Sequence, residues 1–196
     1  MNRYVMAAVV PCVFAGASLG ELVVNGSFED PAITGLFETV GAGSDRITGW
    51  GVAGQTVDIV SVAAGLDFVH SGRQSIDLAG TPGPGTIFQD IPTAFGATYD
   101  LRFFVSSNDG PYSGSVTVRW NGADIGTFDS PVLGTWNEIV LNDLAGSATG
   151  ASRLEFVSNI GGFKGALIDD VSVLAVPAPG AGLLMLGVAG LRRRGR

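Results

Sequence analysis

Strict alternation of apolar and polar residues is the feature that most constrains the fold. In Tyr99–Val105 every second side chain is apolar, and charged residues such as Asp100 and Arg102 lie between them. Ser115–Trp120 repeats this pattern. Side chains of a β-strand point alternately to opposite faces, so these segments predict strands with one buried face. Between residues 18 and 175 no segment has sustained helical periodicity.

Similar short segments recur along the chain, separated by Gly, Pro, Asn, Asp and Ser, which favour turns. Half-buried antiparallel strands bury their apolar faces by stacking two sheets. We therefore predict an all-β fold, a single antiparallel β-sandwich. The predicted strands are Leu22–Val24, Thr56–Ser61, Gln74–Leu78, Thr86–Ile91, Thr98–Val105, Ser115–Trp120, Ile125–Phe128, Trp136–Leu141, Arg153–Val157 and Ala166–Leu174.

The first 17 residues have the pattern of a secretory signal peptide. Arg3 precedes an apolar stretch, and Ala15-Gly16-Ala17 has the small-residue spacing of a cleavage site. Cleavage after Gly20 and a short N-terminal helix of the fold are the alternatives. The only cysteine, Cys12, lies in this segment, so we expect an exported mature protein without a disulfide.

The last 21 residues, 176–196, combine prolines, an apolar run and an arginine cluster. The run Gly180–Leu191 has twelve residues. As a helix it reaches ~18 Å, whereas a hydrocarbon core is roughly 30 Å thick. Basic residues after an apolar segment stay on the cytoplasmic side. These features predict a short hydrophobic helix that inserts into a membrane transiently during export.

The domain between these segments, residues 18–175, is strongly acidic. It holds all eighteen Asp and Glu residues against six Lys and Arg, a net charge of about −12. Nucleic acid is excluded as a partner because it requires a basic patch. With one histidine, His70, and no cysteine, neither a catalytic triad nor a zinc site is predicted. A pair of carboxylates for hydrolysis stays possible in principle, but no pair stands out, and we expect no enzymatic activity.

Motifs at both ends of this domain carry a family resemblance. It opens with Asn25-Gly26-Ser27-Phe28-Glu29 and closes with Ile168-Asp169-Asp170-Val171-Ser172-Val173. In this it resembles the galactose-binding-like carbohydrate-binding modules, and most nearly the bacterial group called choice-of-anchor C. The resemblance implies a jelly-roll sandwich that binds carbohydrate. Intermediate stretches also match: Ile47–Trp50, Gly72–Leu78 and Thr86–Gln89.

The C-terminal segment resembles the bacterial sorting signal named for its Pro-Glu-Pro motif. Pro177 and Pro179 flank an alanine where that motif has glutamate, and the basic cluster contains Arg192, Arg193 and Arg194. The resemblance implies recognition by an exosortase of a Gram-negative-type bacterium and cleavage near residues 176–179. The implied location is the outer surface or the extracellular matrix, with a retained tail anchor as the alternative.

The resemblance to the galactose-binding-like carbohydrate-binding modules also implies a structural calcium ion between the two end motifs of the domain. The first and last strands of such sandwiches are neighbours, which would bring Glu29 close to Asp169 and Asp170. Calcium prefers several oxygen ligands, and carbonyls of the Ser71–Gln74 turn would complete the shell. Strand alternation predicts that Asp169 faces inward with Val171 and Val173, and that Asp170 faces outward. The alternative is that Asp169 only accepts backbone hydrogen bonds in a turn.

Sugar-binding residues are predicted on the polar register of one strand and in the loop after it. Trp120 shares a face with two valines, so we predict that it packs in the core and does not stack on a sugar ring. We expect a non-catalytic module that binds a polysaccharide of the envelope or an exopolysaccharide matrix. The alternative is a structural or adhesive matrix protein without a sugar site. The predicted binding residues are Arg102, Phe104, Asn108, Asp109 and Tyr112. For the three loop residues the alternative is a plain solvated turn.

Overall fold

A computed structural model describes residues 20–110, 114–161 and 164–177 of the chain. The predicted signal segment and almost all of the predicted tail helix lie outside these residues. Residues 20–176 form one compact unit of eleven antiparallel strands in two sheets. Within the described ranges the only helical segment is a single 3-10 turn, Leu66–Phe68, and no helix there is long and apolar enough to cross a membrane.

One sheet has six strands. They are β1 (Phe37–Gly41), β3 (Thr56–Ser61), β4 (Gln74–Asp77), β6 (Thr98–Ser107), β9 (Asn137–Ala145) and β11 (Ala166–Ala175). Their order across the sheet is β1-β3-β4-β11-β6-β9, so the last strand of the chain lies near the middle.

The second sheet has five strands. They are β2 (Gly51–Gly54), β5 (Gly85–Pro92), β7 (Ser115–Trp120), β8 (Ala123–Asp129) and β10 (Ala151–Ser158). Their order is β2-β5-β10-β7-β8, with β10 at the centre. The predicted all-β jelly-roll sandwich is confirmed.

The core lies between the sheets and consists of the apolar side chains that alternation predicts. On β6 the inward residues are all buried, and Phe103 meets Phe156 of the opposite sheet edge-on, with ring centroids 5.0 Å apart. Trp120 is also buried and belongs to this core, as predicted. Each such side chain contributes roughly 1.5–3 kcal/mol through burial, which suits a domain that lacks a disulfide.

The predicted first strand, Leu22–Val24, is not a strand. Leu22 donates one backbone hydrogen bond to the Val173 carbonyl, 3.1 Å, which places this segment beside β11. The Gln89 side chain then accepts a hydrogen bond from the Val24 N–H at 2.8 Å and donates one to the Val24 carbonyl at 2.9 Å. Asn25 adopts a left-handed conformation (φ 54°), so the chain turns away before a ladder can form.

Candidate functional site

A β-bulge in β11 organises the outer face of the six-stranded sheet, the face that points away from the second sheet. Asp169 pairs with Phe104, but the next paired residue, Ser172, pairs with Arg102. Three residues of β11 therefore span two of β6. Asp170 sits in the bulge with φ 48°, a conformation that non-glycine residues rarely adopt.

The bulge corrects the predicted direction of Asp169, whereas Asp170 lies on the outer face as predicted. Simple alternation puts Asp169 on the inward face with Val173, but the extra residue reverses that relation. Asp169 instead shares the outer face with Phe104 and is still completely buried, because the β3–β4 loop covers it.

Both carboxylates fasten that loop to the sheet. Asp169 Oδ2 accepts the backbone N–H groups of His70 and Ser71, at 3.0 and 3.2 Å. Asp170 Oδ1 accepts the Ser71 hydroxyl at 2.9 Å. Burial, followed by the neighbouring charge of Asp170, raises the pKa of Asp169 to about 8, although the N–H donors oppose the shift.

His70, the only histidine of the chain, is fixed on this face from three sides. Its Nδ1 lies 2.6 Å from Asp170 Oδ2. Its ring stacks on Phe104, with centroids 3.6 Å apart and planes 16° apart. Trp136 meets it edge-on at 5.7 Å. The imidazole therefore has a defined position beside Phe104.

A groove of about 430 Å³ opens beside this stack, and we call it the His70 groove. Arg102 reaches it from β6, with its guanidinium carbon 5.0 Å from the Phe104 ring centre. Donors and acceptors of hydrogen bonds therefore meet an aromatic surface in one place. The lining residues are Glu21, Gly26, Ser27, His70, Arg102, Phe104, Asp170, Val171 and Ser172.

The structure separates the predicted sugar-binding residues. Arg102 and Phe104 lie together in the His70 groove, whereas Asn108 lies in a different hollow. Asp109 pairs with Lys164, with Oδ2 and Nζ 3.6 Å apart, and Tyr112 is outside the described residues. Phe104 is only half-exposed because His70 covers its ring, so it is not the free platform that its register suggests.

The residues that sequence reasoning missed are His70 and Asp170 as parts of one cluster. A hundred residues separate them along the chain, and only the bulge turns Asp170 toward the loop. The sole histidine of the chain was a signal, but no local pattern around it indicated an aromatic partner.

The predicted calcium ligands do not form a common site. Glu29 Oε1 accepts the backbone N–H groups of Arg73 and Gln74, at 2.6 and 3.0 Å. Asp169 likewise accepts the backbone N–H groups of His70 and Ser71, which agrees with the alternative stated for this residue in the sequence analysis. Along the described residues no three His, Cys, Asp or Glu side chains converge to hold a metal. Because Asp169 Oδ2 and Glu29 Oε1 already accept two N–H groups each and no third carboxylate joins them among the described residues, calcium stays a prediction without support from this geometry.

The predicted sorting motif is almost wholly outside the described residues. Pro177 is the last of these and is exposed, and Pro179, Arg192, Arg193 and Arg194 lie beyond it.

The sequence matches no known family and no curated protein, but solved structures share its fold. A cyclase from Fischerella sp. TAU, solved with an indole ligand, is 13% identical, with 83% of this chain and 100% of that chain covered and a TM-score of 0.57. The module TmCBM61 in complex with β-1,4-galactotriose is 15% identical, with 80% and 99% covered and a TM-score of 0.50.

A carbohydrate-binding module of the CBM36 type, solved with calcium and xylotriose, is 14% identical with a TM-score of 0.46, covering 71% of this chain and 99% of that one. A likeness this slight does not indicate whether this chain binds calcium.

The chain is thus an all-β jelly roll of the kind found in carbohydrate-binding modules. The same fold serves a cyclase, and a fold does not determine a function. The side chains on the outer face must carry the functional conclusion.

Proposed function

We propose that this protein is an exported, non-catalytic module that binds polysaccharide in the His70 groove. The observation that carries the proposal is the convergence of Arg102, His70 and Asp170 beside the Phe104 ring. Sugar hydroxyls both donate and accept hydrogen bonds, and the groove offers both kinds of partner. The part of the Phe104 ring that His70 leaves uncovered offers aromatic carbon, against which the apolar face of a sugar ring can pack.

The proposed binding is weak to moderate. The groove is open and part of its polar surface is already paired, since Arg102 contacts Glu138 at 2.5 Å and Ser172 donates to Glu21. A ligand therefore gains few new contacts at the cost of lost freedom. We expect free energies of about −4 to −8 kcal/mol, which correspond to Kd values from millimolar to micromolar.

The export and surface-sorting part of the proposal rests on the two terminal segments of the sequence and on their resemblance to known signals. On this account the bacterium presents the acidic domain in its extracellular matrix, after an exosortase has cut the domain from its membrane-inserted tail. The rival account keeps the same location but gives the domain only a structural or adhesive role.

Affinity electrophoresis of the full-length protein in gels with soluble polysaccharides, β-1,4-galactan among them, tests the sugar site. We expect retention by at least one polysaccharide. His70→Ala and Arg102→Ala should each weaken it about tenfold, equal to about 1.4 kcal/mol.

Arg153→Ala is the matched control. Arg153 also lies over an aromatic ring, Phe88 at 4.4 Å, but on the five-stranded sheet. Equal retention of all three variants would show that the groove is not the site. A lack of retention in every gel would favour the structural role instead.

A further inference from the structure

A second hollow lies on the same outer face, near the edge strand β1, and it has a different chemistry. We call it the Asp77 pocket; it encloses about 290 Å³. Among its lining residues, all of which the structure describes, none is Lys, Arg or His. The lining residues are Leu36, Phe37, Asp58, Val60, Ala64, Phe68, Asp77, Thr81 and Asn108.

Two carboxylates face each other across neighbouring strands in this pocket. Asp58 of β3 and Asp77 of β4 are direct cross-strand partners. Side chains in such positions lie about 5 Å apart at Cβ, and like charges there destabilise a sheet. Asp77 is only 2% exposed, so water screens this repulsion poorly. The pair therefore favours any positive charge that can enter.

Unsatisfied acceptors add to the negative potential. The Asn108 amide nitrogen donates to Asp77 Oδ2, which fixes the amide and leaves its own Oδ1 buried. Asp58 Oδ1 is buried as well, and neither of these two oxygens has a hydrogen-bond donor among the described residues, although a side-chain hydrogen bond from Thr39 supports the Asp58 carboxylate. A buried acceptor without a partner is uncommon because it has lost its hydrogen bonds to water without gaining others. Neither atom needs to touch a ligand, because its uncompensated charge acts through a low dielectric.

The rim of the pocket is apolar and exposed. Leu36 and Phe37 are 55% and 59% exposed, and the half-buried Phe68 lies beside them. Aromatic faces attract organic cations, and an apolar rim favours a ligand with a carbon body. A small metal ion would instead keep its water and require further oxygen ligands. The rim and the floor together select an ammonium group on an organic body.

We propose that the Asp77 pocket binds an organic ammonium group, and that its natural ligand is an amino sugar with a free amine in a matrix polysaccharide. The ammonium group would lie against the Asp58–Asp77 pair, and the sugar body against Phe37. The sugar assignment rests on the proposed carbohydrate-binding function, whereas the ammonium assignment does not. Burial raises the pKa of Asp77 to about 7, so near neutral pH an ammonium group competes with a proton for the same position.

Calorimetric titration of the full-length protein tests both assignments. The simple probes are n-butylammonium and 1-butanol, which share a carbon body but not a charge. The sugar probes are oligosaccharides of glucosamine and of N-acetylglucosamine. We expect n-butylammonium to bind at least tenfold more tightly than 1-butanol, and glucosamine oligosaccharides more tightly than their acetylated forms. Asp58→Asn and Asp77→Asn should each weaken both charged ligands about tenfold.

Asp90→Asn is the control, because it removes the same charge from the exposed surface of the other sheet. Equal binding of n-butylammonium by Asp58→Asn and Asp90→Asn would overturn the pocket. Calcium binding that is lost in the Asp58 and Asp77 variants would overturn the organic-cation assignment.

The Asp58 and Asp77 variants could lose n-butylammonium binding while the wild type binds glucosamine and N-acetylglucosamine oligosaccharides equally well. That outcome would overturn only the amino-sugar assignment. Retention on neutral polysaccharides through the His70 groove is measured separately, so a failure here leaves that result unaffected.

Discussion

Acidification from pH 9 to pH 5 is expected to raise the melting temperature of this protein. Two carboxyl groups carry most of the effect, and burial also raises the pKa of Asp58. Burial raises the pKa of Asp77 to about 7, with the charge of Asp58 adding to the shift. Burial and the charge of Asp170 raise the pKa of Asp169 to about 8. In the unfolded chain both groups have the ordinary aspartate pKa of 3.8.

The sign follows from proton binding. Between pH 3.8 and the folded-state pKa, the folded protein holds protons that the unfolded chain has released. Stability from these groups is therefore complete below the unfolded pKa and is lost as the pH rises through 7 and 8. The expected gain from pH 9 to pH 5 is on the order of 3 kcal/mol for each group, and about 12–24 °C in Tm for the two groups together.

Matched amide variants isolate this contribution from the general repulsion of an acidic surface. Asp77→Asn combined with Asp169→Asn should flatten the dependence of Tm on pH. Asp90→Asn removes a surface carboxylate whose pKa is lowered by its hydrogen bond with Arg153, so it should not flatten the curve. A double variant with the full wild-type slope would contradict the assignment of these two groups.

Removal of the Phe156 ring should cause the largest loss of stability by a single substitution. Phe156 is fully buried on the central strand of its sheet and contacts the rings of Phe103 and Trp50, with centroids 5.0 and 6.2 Å away. It thus joins the two sheets across the core. Phe156→Ala should cost about 3–5 kcal/mol in the free energy of unfolding, because it removes apolar contacts and leaves a cavity.

Urea denaturation measures this loss, and Phe95→Ala provides the control. Phe95 is 81% exposed in a loop, and its truncation should stay within about 0.5 kcal/mol of the wild type. A Phe156→Ala variant as stable as Phe95→Ala would mean that the two sheets do not pack through this ring.

Strands with clear alternation were predictable from the sequence. Thr56–Ser61 and Ser115–Trp120 have the predicted bounds, since in each strand alternate apolar residues line the buried face between the sheets. Two strands were missed. Phe37–Gly41 is an edge strand in which only Val40 is buried, and Gly51–Gly54 consists half of glycine. Neither has enough apolar residues to reveal a period.

The candidate site was predictable only in part. Arg102 and Phe104 were found because they occupy the polar register of a strand whose other register is core. Asp169 was assigned to the wrong face because alternation assumes a regular strand, and the β11 bulge breaks that assumption. Asp58 and Asp77 meet through strand pairing between separate segments, which no local pattern records.

The single histidine allows a direct test of the central claim, that polysaccharide binds on the outer face of the six-stranded sheet. His70 lies in the groove against Phe104 and is the only imidazole in the chain, so its ring proton signals in NMR spectra are unambiguous. Titration of the full-length protein with a retained polysaccharide should shift these signals in proportion to the bound fraction. Signals that stay unchanged at saturating polysaccharide would contradict the claim and place the binding site elsewhere on the protein.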